Sequence, residues 1–132
     1  MKYLLSKTKV LLFIFVSTLA LTACEDDDWW TRESISGKWQ IVEVTDYTGA
    51  CPYYSGDYME FHSSGNYYAY GRNNFSEIGY WDVSQDMMTI DFDGDGRTDL
   101  AAQIMQLQDY YMVLYIVDYV YGADYTLRLM RY

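Results

Sequence analysis

The clearest chemical pattern in the chain is a short acidic run, Asp91-Phe92-Asp93-Gly94-Asp95-Gly96-Arg97-Thr98-Asp99. Carboxylates stand at relative positions 1, 3, 5 and 9, with the Arg97 carbonyl at position 7 and, at position 6, a glycine that permits a sharp turn. Calcium takes about six to eight oxygen ligands, and aspartates this close together repel one another without a cation. The pattern predicts a structural calcium site formed by Asp91, Asp93, Asp95, Asp99 and the carbonyl of Arg97.

The run lacks the bidentate glutamate of an EF-hand, because position 12 is Ala102. It resembles instead the calcium-loaded hairpin of FG-GAP repeats, in which Asp-Phe-Asp-Gly-Asp-Gly is followed by Asp-Leu, here Asp99-Leu100. The resemblance covers one loop, and the absence of a second copy argues against a repeat propeller. The alternative is an ion-free hairpin turn, since aspartate and glycine both tolerate left-handed backbone.

Catalytic patterns are missing from the rest of the sequence. His62 is the single histidine, and neither a nucleophile–base pair nor a zinc-type cluster surrounds it. The carboxylates are numerous, but no pair has a spacing that singles it out for glycoside hydrolysis. We therefore expect a protein that is not an enzyme, with a small hydrolase as the alternative.

The first 23 residues have the three parts of a secretory signal peptide. Lys2, Lys7 and Lys9 give a cationic start, an apolar run from Val10 reaches Leu21, and small residues follow. The run is shorter than the roughly 20 apolar residues of a comfortable membrane span. Cleavage is therefore predicted rather than a retained helix.

Leu21-Thr22-Ala23-Cys24 resembles the lipobox of bacterial lipoproteins, which implies that Cys24 carries lipid and becomes the mature N-terminus. Such lipid chains hold a protein on a membrane without spanning it. The acidic run at residues 25–28 resembles the surface-export signal of Bacteroidetes lipoproteins. Together these imply an outer-membrane protein, exposed at the cell surface or facing the periplasm, with residues 24–36 as an acidic tether. An ordinary secreted protein is the alternative.

Charge restricts the partners of the mature chain. The net charge of the 132 residues is −10, and three of the nine basic residues lie in the leader, so the mature chain is more acidic still. Such a surface repels nucleic-acid phosphates and favours cations or basic partners. If Cys24 is lipidated, Cys51 has no intramolecular disulfide partner, and a small buried hydrophobe is its expected role.

Short aromatic and β-branched runs separated by Gly, Asn, Ser and Asp predict antiparallel strands. A short turn or helix is predicted over residues 29–36. Short connections favour an all-β, eight-stranded up-and-down meander closed into a small barrel over residues 37–132, with a β-sandwich as the alternative. The predicted strands are 38–45, 57–62, 67–70, 78–83, 87–92, 99–107, 110–120 and 124–132.

Gly37-Lys38-Trp39 at the start of the first strand resembles the glycine-x-tryptophan motif of lipocalins. In that superfamily an arginine near the C-terminus covers the tryptophan, and alternation along the last strand nominates Arg131 for that position. A cation–π contact would contribute about 0.5–2 kcal/mol and join the first strand to the last. The mature chain thus resembles the short lipocalin-like domains of Bacteroidetes lipoproteins, which implies a ligand-binding barrel.

Sixteen tyrosines exceed what so small a core can bury, so many are expected outside or at the barrel mouth. Tyr67, Tyr70, Tyr80 and Trp81 are predicted to form a ligand-facing aromatic group, and Tyr53, Tyr54 and Tyr68 are further candidates for exposure. Two functions follow: a small apolar or aromatic ligand in a shallow barrel pocket, or a glycan or basic protein bound through an acidic, tyrosine-rich face.

Overall fold

A computed structural model describes residues 32–132, and these form an eight-stranded antiparallel β-barrel. Each strand pairs with its neighbours in the sequence, and β1 pairs with β8 to close the barrel. The strands are β1 (Gly37–Asp46), β2 (Tyr58–Phe61), β3 (Asn66–Tyr70), β4 (Ser76–Ser84), β5 (Met87–Asp91), β6 (Leu100–Gln108), β7 (Tyr111–Asp118) and β8 (Ala123–Arg131). The predicted closed meander is confirmed, and the β-sandwich alternative is wrong.

Side chains alternate across the barrel wall because successive residues of a strand point to opposite faces. In β7 the buried residues are Met112, Leu114, Ile116 and Asp118, with partly exposed residues between them. Every strand contributes inward residues to one continuous buried cluster, from Trp39 in β1 to Leu129 in β8. The interior is therefore filled by the protein's own side chains.

The connections divide the barrel into two ends. One, here the closed end, carries residues 32–36 and the tight turns between β2 and β3, β4 and β5, and β6 and β7. The other, here the loop end, carries segments 47–57, 71–75, 92–99 and 119–122. Because the chain enters β1 at the closed end, any tether before residue 32 leaves from the side opposite the long loops.

Residues 32–35 form one helical turn against the closed end, within the stretch predicted to be a turn or helix. Ile35 is fully buried, and the Trp39 indole donates a hydrogen bond of 2.7 Å to its carbonyl. The packed domain thus includes residues that the predicted tether of 24–36 had placed outside it. Among the described residues no helix has the length and apolar character needed to cross a bilayer.

Candidate functional site

The loop end carries the polar groups that could bind a ligand. A shallow cleft of about 420 Å³ lies there, lined by Pro52, Tyr54, Asp57, Arg72, Asn73 and Phe75. Its apolar walls come from segment 47–57 and from Phe75. Its polar side is the exposed Arg72, which has no carboxylate within ion-pairing distance among the described residues. The cleft therefore suits a flat apolar body with an electron-rich group directed at the guanidinium.

Asp57 holds together the two loop segments that line the cleft. Its side chain is buried and accepts hydrogen bonds from the backbone amides of Tyr54, at 2.9 Å, and Arg72, at 3.4 Å. A Cβ at Gly71 would lie 1.9 Å from the Asp57 Oδ1 atom, so only glycine lets segment 71–75 approach this closely. The carboxylate thereby joins the two segments that form the cleft.

Behind the cleft, Tyr53 plugs the barrel. Its side chain is 2% exposed, and its ring packs edge-on against Phe75 and Tyr125, with ring centroids 5.9 Å apart in each pair. Its hydroxyl donates a hydrogen bond of 2.6 Å to Glu77 and lies 3.3 Å from the Tyr67 hydroxyl. A loop residue thus fills the mouth that an open barrel would leave free.

Two hydrogen-bonded pairs of a tyrosine and an acidic residue lie at the mouth of the barrel, and the Tyr53 plug belongs to one of them. Besides the pair of Tyr53 and Glu77, the Tyr125 hydroxyl donates to the buried Asp118 at 2.9 Å. Burial raises the pKa of Glu77, with a further contribution from the charge of Asp118. Burial also raises the pKa of Tyr53, Tyr67 and Tyr125, so these phenols remain protonated donors. The mouth of the barrel is polar and aromatic at once.

Cys51 lies beside the plug. It is a free, partly buried cysteine whose thiol donates to the Tyr53 carbonyl at 3.6 Å, and burial raises the pKa of its thiol to about 11. A thiol with so high a pKa is almost entirely protonated near neutral pH and reacts slowly. The expected role as a small hydrophobe agrees with its packing against the core cluster.

The acidic segment between β5 and β6 brings three of the five predicted calcium ligands together. Carboxylate oxygens of Asp91, Asp93 and Asp99 lie within 4.8 Å of one another. The Asp95 carboxylate instead accepts the amide of Arg97, at 2.8 Å. Three carboxylates can supply three to six of the oxygens that calcium takes, so the donor set fits a hard cation.

The loop's own amides compete for the same oxygens. Asp91 accepts the amides of Gly94 and Gly96, each at 2.9 Å, and Asp99 accepts the amide of Phe92 at 2.8 Å. A hydrogen bond with Asp91 and the negative charge of Asp95 raise the pKa of the exposed Asp93. Carboxylates this close repel each other when both are charged, and a divalent cation would relieve that repulsion.

The closed end holds Trp39 and Arg131 in contact. The Arg131 Cζ atom lies 4.2 Å from the Trp39 ring centroid, and the two residues are register partners in the β1–β8 ladder. The guanidinium donates to the carbonyls of Ser36 and Asp109, at 2.8 Å each, and to that of Ser34. One side chain thereby joins the last strand, the helical turn and the β6–β7 turn.

The four predicted ligand-facing aromatics do not share a face. Tyr67 and Trp81 point inward and are buried in the core, whereas Tyr70 is half-buried and Tyr80 is 56% exposed on the outer wall. The prediction of one aromatic group is wrong because the spacings between Tyr67 and Tyr70 and between Tyr80 and Trp81 are odd, which places partners on opposite sides of a strand. Tyr53 is likewise buried rather than exposed.

Cys24 lies outside the described residues, as do the leader and the acidic run that follows it. Several loop-end groups were not among the residues predicted to form a site. Arg72 and Glu77 carried no motif, and Asp118 is the last residue of an ordinary alternating strand. Alternation could have placed Tyr67, Trp81 and Tyr125 inside the barrel, but the positions of Tyr53 and Arg72 depend on the paths of irregular loops.

Comparisons with known proteins agree with this geometry. Residues 35–114 match a family model described as a lipocalin-like domain. Among solved structures, the chain is similar to an uncharacterized protein from Bacteroides eggerthii DSM 20697, with a TM-score of 0.53 and 17% identity. The similarity covers 74% of this chain and 99% of that one, and at this identity it concerns the fold alone. No match was found among curated protein sequences.

Proposed function

The chain belongs to the lipocalin-like domain family, whose barrels are associated with small-ligand binding, and from this premise we propose that it is a lipid-anchored binding module of the bacterial envelope. Its ligand is a small apolar or aromatic molecule held at the loop end. The lipid on Cys24 anchors the protein to the outer membrane. Enzyme activity forms no part of the proposal, since lipocalin-like domains are typically binding proteins.

The observation that carries the proposal is the position of the cleft. The interior is filled, and the closed end is sealed by Trp39, Arg131 and residues 32–35. The cleft lined by Tyr54, Arg72 and Phe75 opens at the other end, where a tether would not cover it. Apolar walls with a few convergent polar groups are typical of small-molecule sites.

A titration with anilinonaphthalene sulfonate tests the cleft, because this aromatic anion fluoresces when it leaves water and carries a group for Arg72. We expect saturable binding that weakens in Tyr54→Ala and in Arg72→Gln. Tyr119→Ala and Arg97→Gln remove a tyrosine and an arginine from the same end without touching the cleft lining, and these controls should bind like the parent. Equal loss in the cleft and control variants, or no saturable binding, contradicts the proposal.

A basic protein is the second candidate partner. The loop end is strongly acidic, and the described acidic side chains there are opposed by two arginines, Arg72 and Arg97. A surface of this sign attracts basic proteins, and the attraction weakens with salt. Binding of hen lysozyme at low and at high ionic strength tests it, and binding that does not weaken with salt argues against it. The exposed or partly exposed acids at the loop end are Asp46, Glu77, Asp91, Asp93, Asp95, Asp99 and Asp124, while Asp57 and Asp118 are buried.

We also propose a structural calcium ion at the segment between β5 and β6, held by Asp91, Asp93 and Asp99. The clustered oxygens support it, and the ion would fix the β5–β6 connection rather than take part in a reaction. Affinity is expected in the weak extracellular range of about 10⁻⁴–10⁻³ M. Calorimetry with calcium on the parent and on Asp93→Ala is the test, with Asp109→Ala as the control because that aspartate lies at the closed end. Absence of heat in the parent removes the site.

A further inference from the structure

At the loop end, side chains of the barrel wall form a small pocket, here called the seat, and the side chain of the loop residue Tyr53 occupies it. Glu77 in β4, Tyr67 in β3 and Tyr125 in β8 surround the Tyr53 side chain, and Phe75 closes the side toward the cleft. The ring lies between aromatic rings, and the hydroxyl donates to a carboxylate. Only Tyr53 among these residues comes from segment 47–57. The seat is therefore defined mainly by the barrel, and its occupant by an irregular loop.

The segment that carries Tyr53 is attached mainly at its two ends. Within the described chain, residues 48–53 take no backbone–backbone hydrogen bond, and regular bonding resumes where the Asp57 amide donates to the Tyr54 carbonyl. Asp46 holds the amides of Thr48, Gly49 and Cys51 through its side chain. Residues 47–50 and 54–55 are exposed, and segments with few buried contacts open locally more readily than paired strands. Displacing Tyr53 would leave strand pairing intact.

We propose that Tyr53 is a built-in occupant of the ligand seat, and that the ligand which replaces it is a phenol whose ring enters among Tyr67, Tyr125 and Phe75 and whose hydroxyl donates to Glu77. This inference rests on the proposed function only in placing ligand binding at the loop end. The seat is a second, inner site behind the cleft, and it takes a neutral phenol, whereas the cleft takes a group directed at Arg72. The Tyr53 side chain of segment 47–57 then competes with the external phenol for the same seat, so the segment is not a fixed wall of the site.

The chemistry of the seat selects a phenol over its neighbours in size and charge. A methylbenzene would fill the aromatic walls but leave the partly buried Glu77 carboxylate without its donor, which is costly. A benzoate would bring a negative charge toward Glu77 and Asp118 and be repelled. A phenol satisfies both requirements because it reproduces the ring and the hydroxyl of Tyr53. Burial and the Asp118 charge raise the pKa of Glu77, which agrees with a carboxylate that needs a strong donor.

Competition with the plug sets the expected affinity. An external phenol binds only the fraction of molecules from which Tyr53 has left, so its apparent affinity falls by that fraction. A tethered competitor also has a high effective concentration. Removing the Tyr53 side chain should therefore tighten phenol binding by about tenfold or more.

The test uses p-cresol, which has the size and hydroxyl of the tyrosine side chain, and toluene, which lacks the hydroxyl. Calorimetric titrations compare the full-length protein with its Tyr53→Ala variant, and Tyr119→Ala serves as the control because Tyr119 is an exposed tyrosine at the same end. We expect Tyr53→Ala to bind p-cresol at least about tenfold more tightly than the parent binds p-cresol. We also expect Tyr53→Ala to bind p-cresol at least about tenfold more tightly than it binds toluene. Equal affinities for p-cresol and toluene in Tyr53→Ala overturn the inference.

A second measurement needs no variant at Tyr53, so it holds even if Tyr53→Ala fails to fold. In the full-length protein with Cys24→Ser, Cys51 is the single thiol, and it reacts with dithionitrobenzoate when segment 47–57 opens. p-Cresol should accelerate labelling of Cys51, and toluene should not. Equal rates with the two compounds overturn the inference. Failure of the fluorescent anion to bind the cleft would instead remove the proposed function, so the two failures are distinguishable.

Discussion

Replacement of Arg131 by methionine should destabilise the barrel far more than the same replacement at Arg128. Arg131 stacks on Trp39 and donates to carbonyls in the helical turn and in the β6–β7 turn. Arg128 lies on the opposite face of the same strand, where it bonds Tyr111 and pairs with Glu43. Both substitutions remove one positive charge from one strand, so the comparison isolates the closed-end contacts.

The magnitude follows from those contacts. A cation–π contact with tryptophan contributes about 0.5–2 kcal/mol, and hydrogen bonds from a charged donor add to it, discounted here because Arg131 is partly exposed. We expect Arg131→Met to cost about 2–4 kcal/mol. Both side chains of the Arg128–Glu43 ion pair are exposed, and such pairs contribute roughly 0–1 kcal/mol to the free energy of unfolding.

Urea unfolding followed by tryptophan fluorescence measures both variants. With an m-value of about 2 kcal/mol/M, Arg131→Met should lower the midpoint by roughly 1–2 M, and Arg128→Met by less than about 0.5 M. Arg131→Lys keeps the charge but loses the planar fork of donors, so it should fall between these values. Equal midpoint shifts for Arg131→Met and Arg128→Met would refute the view that this side chain closes the barrel.

Three further substitutions test other contacts. Burial raises the pKa of Glu77 above its usual 4.5, so the stability it contributes is fully present below that value and lost as pH rises through the raised pKa. The unfolding free energy of the parent relative to Glu77→Gln should therefore fall as the pH rises above about 4.5, and a rise would contradict the burial argument. Gly71→Ala would place a Cβ 1.9 Å from the Asp57 carboxylate and should lower the melting temperature by more than about 8 °C, measured by circular dichroism; a change within about 2 °C would contradict the close approach. Gly37→Ala introduces a Cβ at φ +130° and 2.6 Å from Arg131 Nη1. The loss of unfolding free energy that it causes, measured with urea, should be smaller in the Arg131→Met background, where this close contact is removed. Equal losses in the two backgrounds would show that the contact is unimportant.

The strands were predictable because a closed barrel imposes one local rule on every segment. Inward residues are apolar, outward residues are mixed, and turns are rich in glycine, asparagine and aspartate, so each strand can be recognised without knowledge of its partners. The first strand was predicted over residues 38–45 and spans Gly37–Asp46. Alternation along the last strand also assigns Arg131 to the face of Leu127 and Leu129, which is where its register opposite Trp39 places it.

The loop end was less predictable, since it depends on contacts between distant segments. Nothing around Tyr53 in the sequence shows that this loop residue enters the barrel, because its partner Glu77 lies in β4. The buried Asp57 is similar, since its second partner is the amide of Arg72 in another segment. The misassignment of Tyr67 and Trp81 has a different origin, because grouping residues by aromatic character ignored the alternation that had identified the strands.

The direction of the chain through the barrel determines how a membrane tether would present the protein. β1 starts at the closed end, so a tether ending at residue 32 leaves all four loop-end segments on the far side. The loop end is also the more acidic end, and anionic lipid headgroups repel it, whereas at the closed end Arg32, Lys38 and Arg131 offset much of the acidic charge. If Cys24 is lipidated as proposed, topology and charge would favour the same orientation, with the closed end toward the bilayer and the loop end toward solvent, where the cleft would be open to a ligand.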